Sequence, residues 1–167
     1  MDDFYYEDLV KKEKTPKDTL IKGGLIFPTV LFGAAALFIH PLAFIGFVGM
    51  IIADYFIIPK TDQEFEYLFV GGDIDIDVIY SKQKRKRVMN VSLSEADLCA
   101  PLKSSRMDYY NGNQKIKTLD FSSGNESHNR FAIITRKDGE TVRILIEPDE
   151  KLQQYMRNAA PNKVFLV

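Results

Sequence analysis

Hydrophobic positions are concentrated in one stretch near the start of the chain. Residues 23–59 read GGLIFPTVLFGAAALFIHPLAFIGFVGMIIADYFIIP, and Asp54 is the only formal charge among them. A single helix of this length extends about 55 Å, whereas the hydrocarbon core of a bilayer is about 30 Å thick. One membrane span is therefore too long to account for the stretch.

The dipeptide His40-Pro41 divides the stretch near its centre. Proline suits the first turn of a helix and disfavours helical geometry at the residue before it. The division gives helices at 19–39 and 42–58, of about 31 and 26 Å. The pattern predicts two antiparallel membrane spans joined by a tight turn, a transmembrane hairpin over residues 19–59.

Two other interpretations of the apolar stretch are less favoured. A buried soluble hairpin would require the polar remainder to wrap two helices that are apolar on every face. A cleaved signal peptide has one short apolar region, whereas here a second apolar block follows at once. We therefore expect an integral membrane protein.

Lysines that flank the spans predict their orientation. The turn between the spans has no Lys or Arg, Lys60 follows the second span, and five lysines lie before or at the start of the first: Lys11, Lys12, Lys14, Lys17 and Lys22. Cytoplasmic flanks carry the excess of basic residues. We expect a multi-pass protein of the cell membrane with both termini in the cytoplasm.

Small residues recur at helical spacing on both predicted spans, and they are Thr29, Gly33 and Ala36, then Gly46, Gly49 and Ala53. Small residues let membrane helices approach closely, so they mark either the seam within the hairpin or a face for a second copy. Asp54 lies one turn from the end of its helix, so we expect a solvated carboxylate at the membrane interface.

Residues 1–18 form a predicted N-terminal cytoplasmic arm. Phe4, Tyr5, Leu9 and Val10 lie there among acids and lysines, and Pro16 ends the pattern. The arm is either an amphipathic segment at the level of the lipid headgroups or a solvated tail.

After Pro59 the hydrophobic period changes to two residues, which is typical of half-buried strands. EFEYLFV and DIDIDVIY alternate in this way on either side of Gly71 and Gly72. RKRVMNVSL continues the alternation, with Met89, Val91 and Leu93 on one face. These segments predict an antiparallel meander.

The remainder predicts further strands and a closing helix. Strands are expected at 98–102, in KIKTLDF, and in RFAIITR and TVRILIE, whose connection holds an Asp-Gly turn; a short helix is expected in SSRMDYYNGN. A helix at 149–158 carries Leu152, Tyr155 and Met156 on one face. We therefore expect an α+β membrane protein: a two-helix transmembrane hairpin followed by an antiparallel cytoplasmic β domain, 62–167, of six or seven strands, closed by the C-terminal helix.

The chain resembles two known groups of proteins. MNVSLSEADLCAPL, YYNGNQKIKTLDFSSG and TVRILIEPDEKLQQYMR, within residues 62–160, are similar to the bacterial pleckstrin-homology-like (PH-like) domains, which implies paired strands closed by a C-terminal helix. The whole chain, from LVKKEKT to EPDEKLQQYMRNAAPNKVF, resembles an uncharacterised bacterial family of two-span membrane proteins. The second resemblance implies no function.

Composition offers little catalytic chemistry. Cys99 is the only cysteine and is expected to be buried, and His40 and His128 are the only histidines, so the sequence contains no disulfide and no zinc-type ligand cluster. Ser122, Ser123 and Gly124 give only a weak anion-binding signal. We expect no catalytic residues, no metal site and no cofactor.

An acidic row and a basic row stand on neighbouring predicted strands. Asp73, Asp75 and Asp77 are expected to form a solvated strand face rather than a calcium loop, because strand geometry spreads them about 6.6 Å apart. We expect the basic row to pair with them across the hairpin, and it comprises Lys82, Lys84, Arg85, Lys86 and Arg87.

Three interpretations of the basic row compete: a solvated hairpin tip balanced by the aspartates, a patch that contacts anionic lipid headgroups, and a nucleic-acid site. Proximity to a membrane disfavours nucleic acid. The expected function is a membrane-anchored, non-catalytic binding or assembly module on the cytoplasmic face, engaging lipid headgroups, a second copy or a protein partner. The alternative is an enzyme acting at the membrane surface.

Overall fold

The structure is a computed structural model that describes residues 5–113 and 115–167. Phe4 and the other residues of the predicted arm before Tyr5 lie outside the described residues. The chain forms two compact units, which are described separately: a helical unit of residues 14–63 and 80–84, and a β unit of residues 1–13, 64–79 and 85–167.

The helical unit contains helix α1, Pro16–Phe38, helix α2, Ala43–Ile57, and a 3₁₀ turn, Ile58–Thr61. Helix α1 begins three residues earlier than predicted because Thr15 and Asp18 form a reciprocal capping box in front of Pro16. By length and composition, Pro16–Phe38 and Ala43–Thr61 are both apolar enough to cross a membrane. The predicted pair of apolar helices is therefore present.

Glycines and phenylalanines interlock along the seam between the two helices. A Cβ atom on Gly46 would lie 2.7 Å from the ring of Phe32, and one on Gly33 would lie 3.0 Å from the ring of Phe47. Each ring thus occupies space that only glycine leaves free on the opposite helix. Gly49 lies away from this seam, since a Cβ there would meet no atom within 4 Å.

Asp54 differs from the solvated carboxylate that the sequence suggests. Its Oδ2 lies 2.7 Å from the Thr29 hydroxyl on α1, and its Oδ1 is buried without a hydrogen-bond partner among the described residues. The same hydroxyl lies 2.9 Å from the carbonyl of Leu25. The antiparallel arrangement of the helices places Asp54 and Thr29, 25 residues apart, at the same level of the seam.

The N-terminal segment forms a strand instead of the predicted amphipathic segment or solvated tail. Strand β1, Tyr5–Lys11, pairs antiparallel with β2, Gln63–Val70, in a register that runs from Tyr5↔Val70 to Lys11↔Glu64. Residues on β1 alternate between exposed and half-buried. The helical hairpin is therefore inserted between two neighbouring strands.

The strands form two four-stranded sheets. The first has the order β1-β2-β3-β4, with β3 at Asp73–Tyr80 and β4 at Lys84–Ser92. The second has the order β5-β7-β8-β6, and its strands are β5, Leu98–Pro101, β6, Lys117–Asp120, β7, Phe131–Lys137, and β8, Glu140–Ile146. A 3₁₀ turn, Ser105–Met107, and helix α3, Asp108–Asn111, connect β5 to β6.

One strand pair departs from the predicted antiparallel domain. Strand β6 pairs parallel with β8, from Lys117↔Val142 to Asp120↔Leu145. Strand β6 lies on the outer side of β8 rather than beside its sequence neighbour β7. Because β7 runs antiparallel to β8, a β6 strand that is antiparallel to β7 becomes parallel to β8.

Helix α4, Glu150–Ala159, closes the β unit as predicted. Leu152 and Met156 are fully buried, and the half-buried ring of Tyr155 stacks on Phe69 of β2. Both sheets contribute buried residues to the core, including the predicted inward face of β4 and the most buried large side chains: Met89, Val91, Leu93, Tyr67, Ile74, Ile76, Phe131, Ile133, Ile144 and Ile146.

Candidate functional site

The turn between β3 and β4 presents a lysine at its tip. Ser81 and Lys82 both adopt left-handed backbone conformations, with φ of 47° and 57°, and the Gln83 N–H donates to the Tyr80 carbonyl at 3.0 Å. Consecutive left-handed residues twist a tight turn to match the twist of its flanking strands. The turn leaves the side chains of Lys82 and Lys84 exposed.

Two arginines of the basic row are paired with acids on the outer face of the first sheet. Arg85 Nε lies 2.7 Å from Asp77 Oδ2, and the Arg85 guanidinium also contacts Glu66. Arg87 Nη1 lies 2.9 Å from Asp75 Oδ2, and Arg87 Nε lies 3.4 Å from Asp77 Oδ1. The cross-hairpin pairing predicted from the sequence is therefore present for both arginines.

The paired carboxylates are well shielded from water. The side chain of Asp77 is only 7% exposed, whereas those of Arg85 and Arg87 are 48% and 59% exposed. Asn90 donates to Asp75 at 2.7 Å, which fills a further acceptor position. The aspartate row is occupied by arginine and amide donors, and within the described residues no three His, Cys, Asp or Glu side chains are arranged to hold a metal ion.

The three lysines of the basic row are different. Lys82, Lys84 and Lys86 are exposed, and no acidic side chain among the described residues forms an ion pair with them. Within the part of the chain that the structure describes, no short-range ion pair therefore offsets their charge. Lys82 and Lys84 belong to the helical unit, and Lys86 belongs to the β unit.

The tip of the β3–β4 hairpin contacts the open end of the helical hairpin, which is the end where α1 begins and α2 finishes. The Ser81 N–H donates to the carbonyl of Asp62, directly after the 3₁₀ turn, at 2.8 Å. This 3₁₀ turn contacts α1, so the start of α1 and the end of α2 meet at the same end. The interaction places Lys82 and Lys84 beside the end of the second apolar helix.

The two ends of the helical unit have different charge. The turn at residues 39–42 holds no charged residue, whereas the open end carries two aspartates, Asp18 and Asp62, together with six lysines: Lys14, Lys17, Lys22, Lys60, Lys82 and Lys84. We call these six residues the basic collar. Sequence reasoning identified its flanking lysines and its hairpin lysines separately, but only the fold brings them together.

A second polar cluster was not expected from the sequence. His128 Nδ1 lies 2.7 Å from Glu147 Oε1 and 3.3 Å from Ser123 Oγ, and the Ser123 hydroxyl donates to Glu147 Oε2 at 2.5 Å. The serine proton therefore points to the carboxylate, and both neighbours share one ring nitrogen. A nucleophilic triad needs the serine and the acid on opposite ring nitrogens. In this cluster the three side chains hydrogen-bond to one another through a single ring nitrogen, so the geometry is not that of a triad.

The same cluster fills the anion-binding position suggested by Ser122, Ser123 and Gly124. The Ser123 N–H donates to Glu147 Oε2 at 3.1 Å, so the carboxylate of the chain itself takes the available donor. Ser123 and Glu147 are 24 positions apart in the sequence, which explains why the local sequence gives no signal for this contact.

Cys99 lies in the core, as the sequence suggests. It is fully buried on β5, and burial alone raises the pKa of its thiol to about 12. The thiolate, which is the reactive form, is therefore scarce at neutral pH.

Comparison with known protein families gives one result. A family model described as a bacterial PH-like domain (DUF6106) matches residues 2–166. Comparison with curated proteins and with solved structures gave no match. The family match extends beyond the predicted region of resemblance, 62–160, and includes both apolar helices. The chain therefore belongs to the DUF6106 family of bacterial PH-like domains.

Proposed function

We propose that the protein is a membrane-anchored, non-catalytic binding or assembly module. The helical hairpin spans the cell membrane with its uncharged turn outside, and both flanks of the hairpin lie in the cytoplasm. The PH-like domain is held at the inner membrane surface, where Lys82 and Lys84 contact anionic lipid headgroups.

The observation that supports this proposal is the attachment of the β3–β4 tip to Asp62. It brings Lys82 and Lys84, which form no ion pair among the described residues, to the end where four other lysines lie: one before α1, two in its first two turns and one after α2. Basic residues favour the cytoplasmic side of a span, and each one near an anionic membrane surface contributes about 1 kcal/mol of attraction. Lipid contact by the lysines is compatible with the pairing of Arg85 and Arg87, because different side chains are involved.

The experiment follows the depth of the hairpin tip in the full-length protein reconstituted in nanodiscs. Gln83→Cys provides a labelling site, since the native Cys99 is buried. We expect quenching of a fluorophore at position 83 by spin-labelled lipid in anionic nanodiscs, and weaker quenching in neutral nanodiscs or at high salt.

The matched variants separate headgroup contact from general charge. Lys82→Gln combined with Lys84→Gln removes about 2 kcal/mol of attraction, which weakens tip association about 30-fold. Lys115→Gln combined with Lys117→Gln removes the same charge from exposed positions of the β unit and should leave the quenching unchanged. The lipid contact would be refuted if quenching were the same in anionic and neutral nanodiscs, or if the two double variants had equal effects.

The orientation has its own test. In intact cells a membrane-impermeant thiol reagent should modify a cysteine at position 40, in the turn, but not cysteines added at either terminus. Labelling of either terminus from outside would contradict the cytoplasmic placement.

We take the module to be non-catalytic because the geometry of the Ser123–His128–Glu147 cluster, with the serine donating to the glutamate, is not that of a nucleophilic triad. A screen of the full-length protein for hydrolysis, with and without divalent metal ions, tests this part. A turnover that His128→Ala abolishes would favour the alternative, an enzyme at the membrane surface.

A further inference from the structure

A groove of about 440 Å³ lies along one edge of the β unit. One wall is the second half of β4, and the other is the end of β7. Its lining residues are Arg87, Val88, Met89, Asn90, Val91 and Ser92 on the first side, and Thr135, Arg136 and Lys137 on the second, with Glu95.

Strand β4 is an edge strand of the first sheet, so one side of its backbone has no strand partner among the described residues. Exposed edges of this kind add further strands unless charge or shape protects them. The first half of β4, KRKR, is protected by charge, whereas the second half, VMNVS, has no charged side chain. The groove lies along this unprotected half.

The end of strand β7 pairs with β8 on one side but is unpaired on the side that faces the groove. It pairs with β5 only from Phe131 to Ile134, and the Asp97 N–H donates to the Ile134 carbonyl beside that last pair. Backbone groups point to the same side of a strand at every second residue, so those of Arg136 face the side that β5 no longer covers. No backbone partner for them is present among the described residues.

The charge of the groove is positive. Arg136 and Lys137 are exposed, and Lys137 Nζ lies 3.9 Å from Met89 Sδ, across the groove. Arg87 is already paired with Asp75 and Asp77, and Glu95 is the single acidic lining residue. Arg136 and Lys137 form no ion pair with any acidic side chain among the described residues, so they are the cations that a ligand can meet.

We propose that this groove binds an extended acidic segment of a partner protein, which adds to the free edge of β4 as a further strand. Main-chain hydrogen bonds to β4 supply affinity, and acidic side chains of the segment pair with Arg136 and Lys137. Apolar side chains at alternate positions of the segment lie on the same face of the sheet as the half-buried Val88, because Val91 points into the core. The inference goes beyond the proposed lipid contact and uses a different surface.

The probe is a fluorescein-labelled peptide that alternates glutamate and valine. Its binding to the full-length protein in a neutral detergent is followed by fluorescence anisotropy, which removes anionic lipid from the measurement. We expect saturable binding that weakens as salt is added. Absence of saturable binding would overturn the proposal, whatever the result of the nanodisc experiment.

Two comparisons test the mode of binding. Methylation of alternate peptide nitrogens keeps every charge but removes the donors that a strand needs, so it should weaken binding at least tenfold. Arg136→Glu combined with Lys137→Glu should do the same, whereas Lys115→Glu with Lys117→Glu, at the β6 edge, should change affinity less than twofold. Equal binding of the methylated peptide, or equal effects of both double variants, would refute strand addition at β4.

Discussion

Asp77 provides the sharpest test of the forces that hold the first sheet together. Its side chain is 7% exposed and accepts hydrogen bonds from Arg85 Nε at 2.7 Å and from Arg87 Nε at 3.4 Å. Arg85→Gln removes the closer cation and also the partner of Glu66, whose side chain is 14% exposed. Two shielded carboxylates then lose a charged donor at once.

The expected magnitude follows from burial and distance. A hydrogen bond to a charged group contributes roughly 1.5–3 kcal/mol, and an unpaired buried charge costs more still. Because Arg85 is itself 48% exposed, water can enter when it is removed, so we expect a loss of about 2 kcal/mol for Arg85→Gln. Arg87→Gln should cost about 1 kcal/mol, since its contact with Asp77 is longer and Asp75 is more accessible to water.

Lys86→Gln is the matched control, because Lys86 lies between the two arginines, is exposed and has no ion pair among the described residues. We expect its effect to stay within about 0.5 kcal/mol. The assay uses Cys99, the only cysteine in the chain, as a reporter of unfolding. It is fully buried, so the rate at which a thiol reagent labels it in urea reports the free energy of opening of the β unit.

A double-mutant cycle completes the test. In an Asp77→Asn background the cost of Arg85→Gln should fall by at least about 1 kcal/mol, because the two residues are in direct contact. If Arg85→Gln costs no more than Lys86→Gln, or if the two substitutions are additive, the carboxylate is solvated in the folded protein and the argument from burial is wrong.

Three further predictions test other parts of the fold. Burial raises the pKa of the Asp8 carboxyl, so the contribution of Asp8 to stability falls as pH rises through that pKa. Asp8→Asn should therefore raise the unfolding temperature at neutral pH but not in acid, as measured by circular dichroism. Gly46→Ala should open the helical hairpin at lower SDS concentration, since the new Cβ meets Phe32 at 2.7 Å, whereas Gly49→Ala should be neutral; energy transfer between labels on the two helices measures this. Leu152→Ala should destabilise the β unit by about 2–5 kcal/mol in the Cys99 labelling assay, because Leu152 is fully buried, and an unchanged labelling rate would contradict the role of α4 in the core.

Features set by neighbouring residues could be predicted from the sequence. Alternation with a period of two residues gave β2, β3 and β4 within one or two residues, and Leu152 and Met156 marked the buried face of α4. The pairing of Arg85 and Arg87 with the aspartates also follows from local pattern, since the two rows lie on adjacent strands of one hairpin. Local pattern could not predict the position of the β3–β4 turn in the fold. The hydrogen bond from Ser81 to Asp62 sets that position and brings Lys82 and Lys84 to the end of the helical unit.

Strand β1 shows why the rest could not be predicted. Its alternation is weak because both faces mix apolar and polar side chains, and its partner β2 lies more than fifty residues away, beyond both apolar helices. Its position is fixed by distant contacts: the Tyr6 hydroxyl donates to Asp149, and Asp8 accepts the Asp149 N–H at 2.8 Å. The strand before the helical hairpin is thus bound to the start of the helix that closes the core. The hairpin is an insertion within the β unit rather than an N-terminal appendage, so β1 can join the sheet only when the chain on both sides of the hairpin folds together.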